Sequence, residues 1–158
     1  MNLEKYQQYS RIARGLEKAD LVLKDARIVN VFTEEIIRGD IAIQDGIIAG
    51  IGSFHGKEER DLAGRYVCPG FIDSHLHLES TLVTPAELVT AASRHGTTTF
   101  IVDPHESANV SGLAGIDYIL DQTEDVKANV YVMMPSCVPA TAIDDNGCTL
   151  TAEDMVPY

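Results

Sequence analysis

Apolar and polar residues alternate in three different ways along this chain, and each way predicts a different kind of element. From Leu3 to Lys18 the sequence is polar and helix-permissive, with Leu3, Tyr6, Ile12, Ala13 and Leu16 as scattered apolar positions. That spacing predicts a short amphipathic helix that docks and carries no chemistry. From Asp20 the apolar residues come in short β-rich runs: Leu21–Leu23, Arg27–Val31, Ile36–Ile37, Asp40–Ile43 and Ile47–Ile51. Polar breaks fall at Lys24-Asp25, Thr33-Glu34-Glu35, Arg38-Gly39 and Asp45-Gly46. Asp-Gly between two apolar runs signals a hairpin, because glycine accepts the positive φ of a tight primed turn. Residues 20–66 read as a small antiparallel β unit that serves as scaffold.

After Val67-Cys68-Pro69-Gly70 the pattern changes again. A strand from Phe71 to Leu78 leads to a helix with a legible start: Thr84 as N-cap, Pro85 in the first turn and Glu87 to close a capping box. Leu88, Val89, Ala91 and Ala92 give that helix its apolar face, and Gly96 stops it. Thr97–Val102 is β-branched or aromatic throughout and reads as a buried strand. A weaker helix over Leu113–Gln122 precedes a third buried strand, Asn129–Met134, which ends at Pro135-Ser136-Cys137. Strand–helix alternation of this kind predicts parallel strands joined by right-handed crossovers. The expected organisation is an N-terminal helical extension (1–19), a β portion (20–66) and an α/β portion (67–158).

Composition narrows the picture. At 45% hydrophobic residues the chain has enough apolar material for a folded core. Lys+Arg 12 against Asp+Glu 24 gives a net charge of −12, which disfavours nucleic-acid and anionic-membrane partners. No apolar run approaches the ~20 residues that span a bilayer. The opening Met1-Asn2-Leu3-Glu4-Lys5 lacks a secretory pattern, so a cytoplasmic location is expected. The three cysteines, Cys68, Cys137 and Cys148, have no C-x-x-C spacing and read as ordinary buried thiols.

Candidate chemistry lies where parallel α/β folds keep it, at the carboxyl ends of the strands. In Asp73-Ser74-His75-Leu76-His77-Leu78-Glu79, the strand period of two puts Asp73, His75 and His77 on one face and Ile72, Leu76 and Leu78 on the other. Two imidazoles about 7 Å apart along a strand can converge on one ion, so His75 and His77 are candidate metal ligands. After the second strand, Asp103, His105 and Glu106 could orient metal ligands or touch substrate; a solvated polar loop is the competing reading. After the third strand, Ser136, Cys137 and Thr141 could line a pocket, but no basic neighbour activates Cys137 and packing is the simpler role. His55, in a turn, and His95, placed in the last turn of the first α/β helix, read as structural.

Pro69-Gly70-Phe71-Ile72-Asp73-Ser74-His75-Leu76-His77 resembles the signature that opens the barrel of the amidohydrolase superfamily of metal-dependent hydrolases. Leu78-Glu79-Ser80, Asp103-Pro104-His105-Glu106 with Ala108-Asn109, and Met133–Thr141 are together similar to the bacterial adenine deaminase family. The likeness covers nearly all of the chain from Asp20 onward. It implies the first strands and helices of a (β/α)8 TIM barrel, preceded by part of a small β-sandwich domain. It further implies hydrolytic deamination of adenine in purine metabolism, a divalent metal (manganese, iron or zinc), and His75 and His77 as its first two ligands. One departure stands out: where that family carries a Phe-Glu-Thr-Ser-like stretch, this chain reads Ala142–Cys148, so a role tied to that glutamate is not carried over.

A closed barrel takes about 250 residues, and three strands are expected here. The bridging carboxylate, the later histidines and the catalytic aspartate implied by the resemblance belong to later strands. An incomplete portion, inactive by itself and paired with a complementing chain or in a homo-oligomer, is therefore expected. The competing readings are another cyclic amidohydrolase of dihydroorotase or hydantoinase type, and a non-catalytic remnant or assembly module that binds a partner along its open sheet edge.

Overall fold

Two units divide the chain, Met1–Pro69 and Gly70–Tyr158, in a computed structural model that describes residues 2–158. In the first, helix α1 (Leu3–Ala13) starts on the Asn2 side chain, which accepts the Lys5 N–H. It stops five residues short of the expected end. Gly15 takes a φ of 71°, its N–H bonds the Ile12 carbonyl and the Leu16 N–H reaches back to Arg11. These paired bonds are the glycine stop of a Schellman motif. Of the apolar positions read as its docking face, Ile12 is buried while Leu3, Tyr6 and Leu16 stay exposed. Ile12 packs with Ala19, Val22, Ala42 and Phe54, a burial worth roughly 1.5–3 kcal/mol for such a side chain.

The β unit has longer strands than the apolar runs suggested. Strand β1 (Ala19–Asn30) runs through Lys24-Asp25, and β2 (Glu35–Gln44) runs through Arg38-Gly39. The first supposed break is a bulge: register against β2 jumps between Leu23 and Ala26, with Asp25 at a φ of 49°. At the second, Gly39 lies backbone to backbone against Gly52, where a Cβ would meet the Gly52 carbonyl oxygen at 3.1 Å. Asp45 and Gly46 both take positive φ and join β2 to β3 (Ile47–Gly52) as the Asp-Gly signal predicts. The unit is not purely antiparallel. β4 (Gly56–Asp61) and β5 (Tyr66–Val67) both pair with β1 in parallel. Past its buried first residue β4 is exposed throughout and reads Lys-Glu-Glu-Arg-Asp, so it gave no apolar signal.

In the second unit, β6 (Phe71–Leu76), β7 (Thr97–Val102) and β8 (Asn129–Val132) form a three-stranded parallel sheet in the order β6-β7-β8. The mixed α/β class is thus the observed one. Between β6 and β7 lie a 3₁₀ turn (Glu79–Thr81) and helix α2 (Pro85–Ser93). Between β7 and β8 lie α3 (His105–Ser111) and α4 (Leu113–Thr123). A last helical turn, α5 (Ala152–Met155), closes the chain. Phe100 and Val102 of β7, with Leu78, Val89 and Ile119, form the buried core, against which Leu76, Val130 and Val132 pack. On the opposite side Tyr131 of β8, and Met133 just past the strand, are exposed, so helices cover one sheet face.

Several local expectations need correction. β6 ends at Leu76, so His77 and Leu78 lie past it, and Ile72 is exposed and does not pack against a helix. Thr84 caps α2 without a side-chain bond, so the box with Glu87 does not form; the preset φ of Pro85 opens the helix. A capping box forms instead at Thr151 and Asp154. His95 sits in the turn beyond α2, exposed. Asp103-Pro104-His105-Glu106 is the threshold of α3, not a loop. Cys68 and Cys137 are exposed and Cys148 is half-buried, so none of the three is a buried thiol. No helix among the described residues is long and apolar enough to cross a membrane.

Candidate metal centre

The site grows from the carboxyl end of β6. Gly70 lets the strand start close to β7, because a Cβ there would run into the Thr98 side chain. Asp73 turns inward on its own backbone and accepts the His75 N–H at 3.3 Å, which keeps it out of the ligand groups. His75 is the penultimate strand residue, and His77 follows the strand's end. Their rings meet edge to face with centroids 4.9 Å apart. The two Nε2 atoms are 3.2 Å apart. Ring nitrogens that close share either a proton or an ion. Two nitrogens on one ion at bond lengths of 2.0–2.1 Å would span about 3.3 Å in a tetrahedral shell.

What surrounds His77 decides which of its nitrogens is free. Nδ1 lies 2.8 Å from the Asp103 carbonyl oxygen and 3.0 Å from Glu106 Oε2. The carbonyl accepts a hydrogen bond and the carboxylate lies alongside as a charge contact, so the proton belongs on Nδ1 and the Nε2 lone pair faces His75. The Asp103 carboxylate completes a trio in which one ligand atom each from His75, His77 and Asp103 lies within 4.8 Å of the others. Its Oδ1 is buried with no hydrogen-bond partner. An orphaned anionic oxygen beside two imidazole nitrogens is costly unless something positive sits there. The donor set of two nitrogens and one carboxylate therefore fits a divalent ion of the zinc, iron or manganese kind.

A second group adjoins it. Glu79 Oε1 accepts the N–H of Glu106 at 3.0 Å and of Ser107 at 3.2 Å, which satisfies the first free amides of α3. Ser80 donates to Glu106 Oε1 at 3.0 Å. Glu79 Oε2 is buried and unpartnered. Burial pushes the Glu79 carboxyl above its ordinary range, and the neighbouring Glu106 adds to the rise. Burial pushes Glu106 up as well, but hydrogen bonds from Glu79 and Ser80 and the nearby His77 outweigh it and hold Glu106 low. The pair thus divides its labour: Glu79 keeps a proton more readily, while Glu106 is the anion that faces His77.

Of the residues read from sequence, the fold brings His75, His77, Asp103 and Glu106 together. His105 opens α3, half-buried, and joins neither ligand group among the described residues. Ser136, Cys137 and Thr141 are exposed; Thr141 bonds Asp144 and the only bond from Ser136 is to the neighbouring Cys137. His55 is exposed and pairs with Glu59. Glu79 was missed as a site residue, although it continues the odd-numbered series Asp73, His75, His77. A hollow of about 540 Å³ is lined by Glu79, Ser80, Glu106, Ser107, Val110 and Tyr118 among others; His75 and His77 do not line it.

Comparison with known proteins adds three findings. The amidohydrolase family profile matches residues 66–156. The chain is 56% identical over 158 residues to an adenine deaminase of Desulfitobacterium hafniense, covering 100% of this chain and 28% of that protein. It is 53% identical over 143 residues to an adenine deaminase of Clostridium acetobutylicum, covering 90% and 25%. This chain therefore spans about a quarter of the length of the curated relatives it matches. Among solved structures, an N-acyl-D-glutamate deacylase from Bordetella bronchiseptica, complexed with zinc and a phosphonate inhibitor, superimposes with a TM-score of 0.60. At 23% identity, over 87% of this chain and 34% of that one, the likeness is one of fold.

Proposed function

This chain belongs to the amidohydrolase family, and we propose that it supplies the first metal-binding strand and neighbouring walls of an adenine deaminase. The observation that carries the reading is the 3.2 Å approach of the His75 and His77 Nε2 atoms beside the orphaned Asp103 carboxylate. Relatives of about 50% identity named adenine deaminase support the substrate. In this reading β6, β7 and β8 are the opening strands of a (β/α)8 barrel, and the β unit before them is part of a β-sandwich. The reaction is adenine plus water to hypoxanthine plus ammonia: a C6–O bond forms, the C6–N bond breaks, and the amino group leaves with the proton it gains.

His75 and His77 would hold a divalent ion, manganese, iron or zinc, with Asp103 close by. Such an ion, when bound, lowers the pKa of water toward neutrality and compensates charge on the purine ring. The chain's own part is to orient. The Asp103 carbonyl keeps the proton of His77 on Nδ1, Glu79 ties down the start of α3, and Ser80 holds Glu106.

Catalysis needs more than this chain contributes. A barrel of this kind needs eight strands, and its catalytic residues come from the ends of several of them. The remaining strands would come from a complementing chain or from further sequence, in a cytoplasmic enzyme that binds a small purine and neither nucleic acid nor membrane.

The test is complementation. The chain is co-expressed with the segment of the Desulfitobacterium relative that follows its matched region, and ammonia release from adenine is measured with added manganese. The complex is expected to turn over adenine, the chain alone is not, and His75→Ala is expected to lower turnover about 10³-fold or more. Turnover of hydantoins or dihydroorotate in place of adenine, or insensitivity to His75→Ala, would sink the reading.

A further inference from the structure

The two histidines have acidic residues stacked behind them, and the metal-binding reading gives those residues no defined task. Glu106 stands at the back of His77, its Oε2 3.0 Å from Nδ1, on the side opposite the nitrogen that faces His75. It is held there from three directions. Ser80 donates to its other oxygen at 3.0 Å. Its backbone N–H and that of Ser107 are bound by a single oxygen of Glu79. Pro104, buried, fixes the entry to α3 directly before it. Residues 27 positions apart in sequence are thus clamped so that one carboxylate faces one ring nitrogen.

We infer that Glu106 is a positioning residue acting through His77, and that Glu79 and Ser80 form the clamp that keeps it in place. A carboxylate beside Nδ1 steadies the ring and makes Nε2 a stronger donor to a cation, and loss of such a partner typically costs 10–100-fold in metal affinity. The Nδ1 hydrogen bond itself goes to the Asp103 carbonyl, so Glu106 adds charge where the carbonyl adds direction. This inference rests on the metal-binding reading above for its consequence, but not for its geometry.

Two measurements on the 158-residue chain test it. The first uses ¹⁵N-labelled histidine in the metal-free chain. His77 is expected as the Nδ1-protonated tautomer, held by the Asp103 carbonyl, and Glu106→Ala is expected to move its ¹⁵N shifts while His75 keeps its signals. The second is titration with Co²⁺, read by its visible absorption. Glu106→Ala is expected to bind about 10–100-fold more weakly with an altered spectrum, Glu106→Gln to fall between it and the parent, and Glu87→Gln on α2 to match the parent. Glu106→Gln keeps an acceptor for Ser80, so it carries the titration if the alanine variant does not fold. Unchanged His77 ¹⁵N shifts in Glu106→Ala, or parental Co²⁺ affinity in both Glu106 variants, would overturn the inference. If the parent chain itself binds no Co²⁺ while the His77 signals still move in Glu106→Ala, the positioning role stands and the metal-binding reading falls.

Discussion

The two units treat their buried polar groups in opposite ways. In the first, the buried Asp40 carboxylate is satisfied from three sides. It accepts from the Lys24 ammonium and from the N–H groups of Asp25 and Phe54, each at 3.1 Å. Buried Gln44 is likewise bonded at both ends of its amide to Asp20. In the second unit, Glu79 Oε2, Ser93 Oγ, Asp103 Oδ1 and Asn109 Oδ1 are buried without partners. All of the unpartnered buried side-chain atoms among the described residues fall there. Two of them are carboxylate oxygens beside the histidine pair. A scaffold closes its polar network on itself, because every open buried group costs about 1–3 kcal/mol. A ligand site leaves groups open, because their partner arrives from outside.

The largest effect that would test this contrast is in the scaffold. Asp40→Ala would leave the Lys24 ammonium and two backbone N–H groups without their acceptor. A loss of about 3–5 kcal/mol is expected, as for breaking a buried ion pair. Urea unfolding would measure it, with hydrogen exchange to place the loss in the β unit. Co²⁺ affinity of the folded fraction should stay at the parental value. A parallel fall in affinity would show that the two units are not separate in role.

Asp103→Asn should act the other way round. Removing the charge from an orphaned buried carboxylate is expected to leave stability unchanged or to raise it by about 1 kcal/mol in the metal-free chain. The same substitution should weaken Co²⁺ binding about tenfold or more, since the carboxylate lies within reach of both histidines. A clear loss of stability without loss of affinity would make Asp103 a structural acid like Asp40 and erase the distinction between the units.

Much of this contrast was legible in the sequence, and the exceptions have physical causes. Apolar runs marked β7 and β8, because parallel strands packed under helices must be apolar, whereas β6 showed as an alternation of polar and apolar residues. His75 and His77 were legible as a pair from their spacing. Strand β4 was invisible because an edge strand exposed to water needs no apolar residues; its backbone pairing with β1 alone defines it. The Lys24-Asp25 break was a bulge, and the same bulge turns the Asp25 N–H toward Asp40. Helix α3 was missed because Pro-His-Glu reads as loop chemistry, and the cap that stabilises its start, Glu79, lies 27 residues away. Contacts that distant carry no periodicity, so the clamp behind His77 needed coordinates.

The smallest expected effect concerns pH, and it probes the scaffold alone. Burial pushes the Asp40 carboxyl up, but the bonds from Lys24 and from the Phe54 and Asp25 N–H groups outweigh it and hold the carboxyl below its ordinary value. A carboxylate whose folded pKa is depressed contributes stability that is present in full above the unfolded value, about 3.9 for Asp, and is lost as pH falls through the lower folded value. Lys24 is raised, chiefly by its bond to Asp40. Its contribution is present below the unfolded lysine value, about 10.4, and is lost as pH rises through the raised one. Stability of the β unit should therefore be flat across the neutral range and fall at both extremes. Urea midpoints followed by hydrogen exchange at a series of pH values would trace both limbs. In Asp40→Asn the acid limb attributable to this residue should disappear, and the alkaline limb attributable to Lys24 should shrink with it, because Asp40 is the chief cause of its raised value. An acid limb that survives Asp40→Asn at full size would mean that other carboxylates hold the scaffold together, and that the Lys24–Asp40 pair fixes local geometry without governing stability.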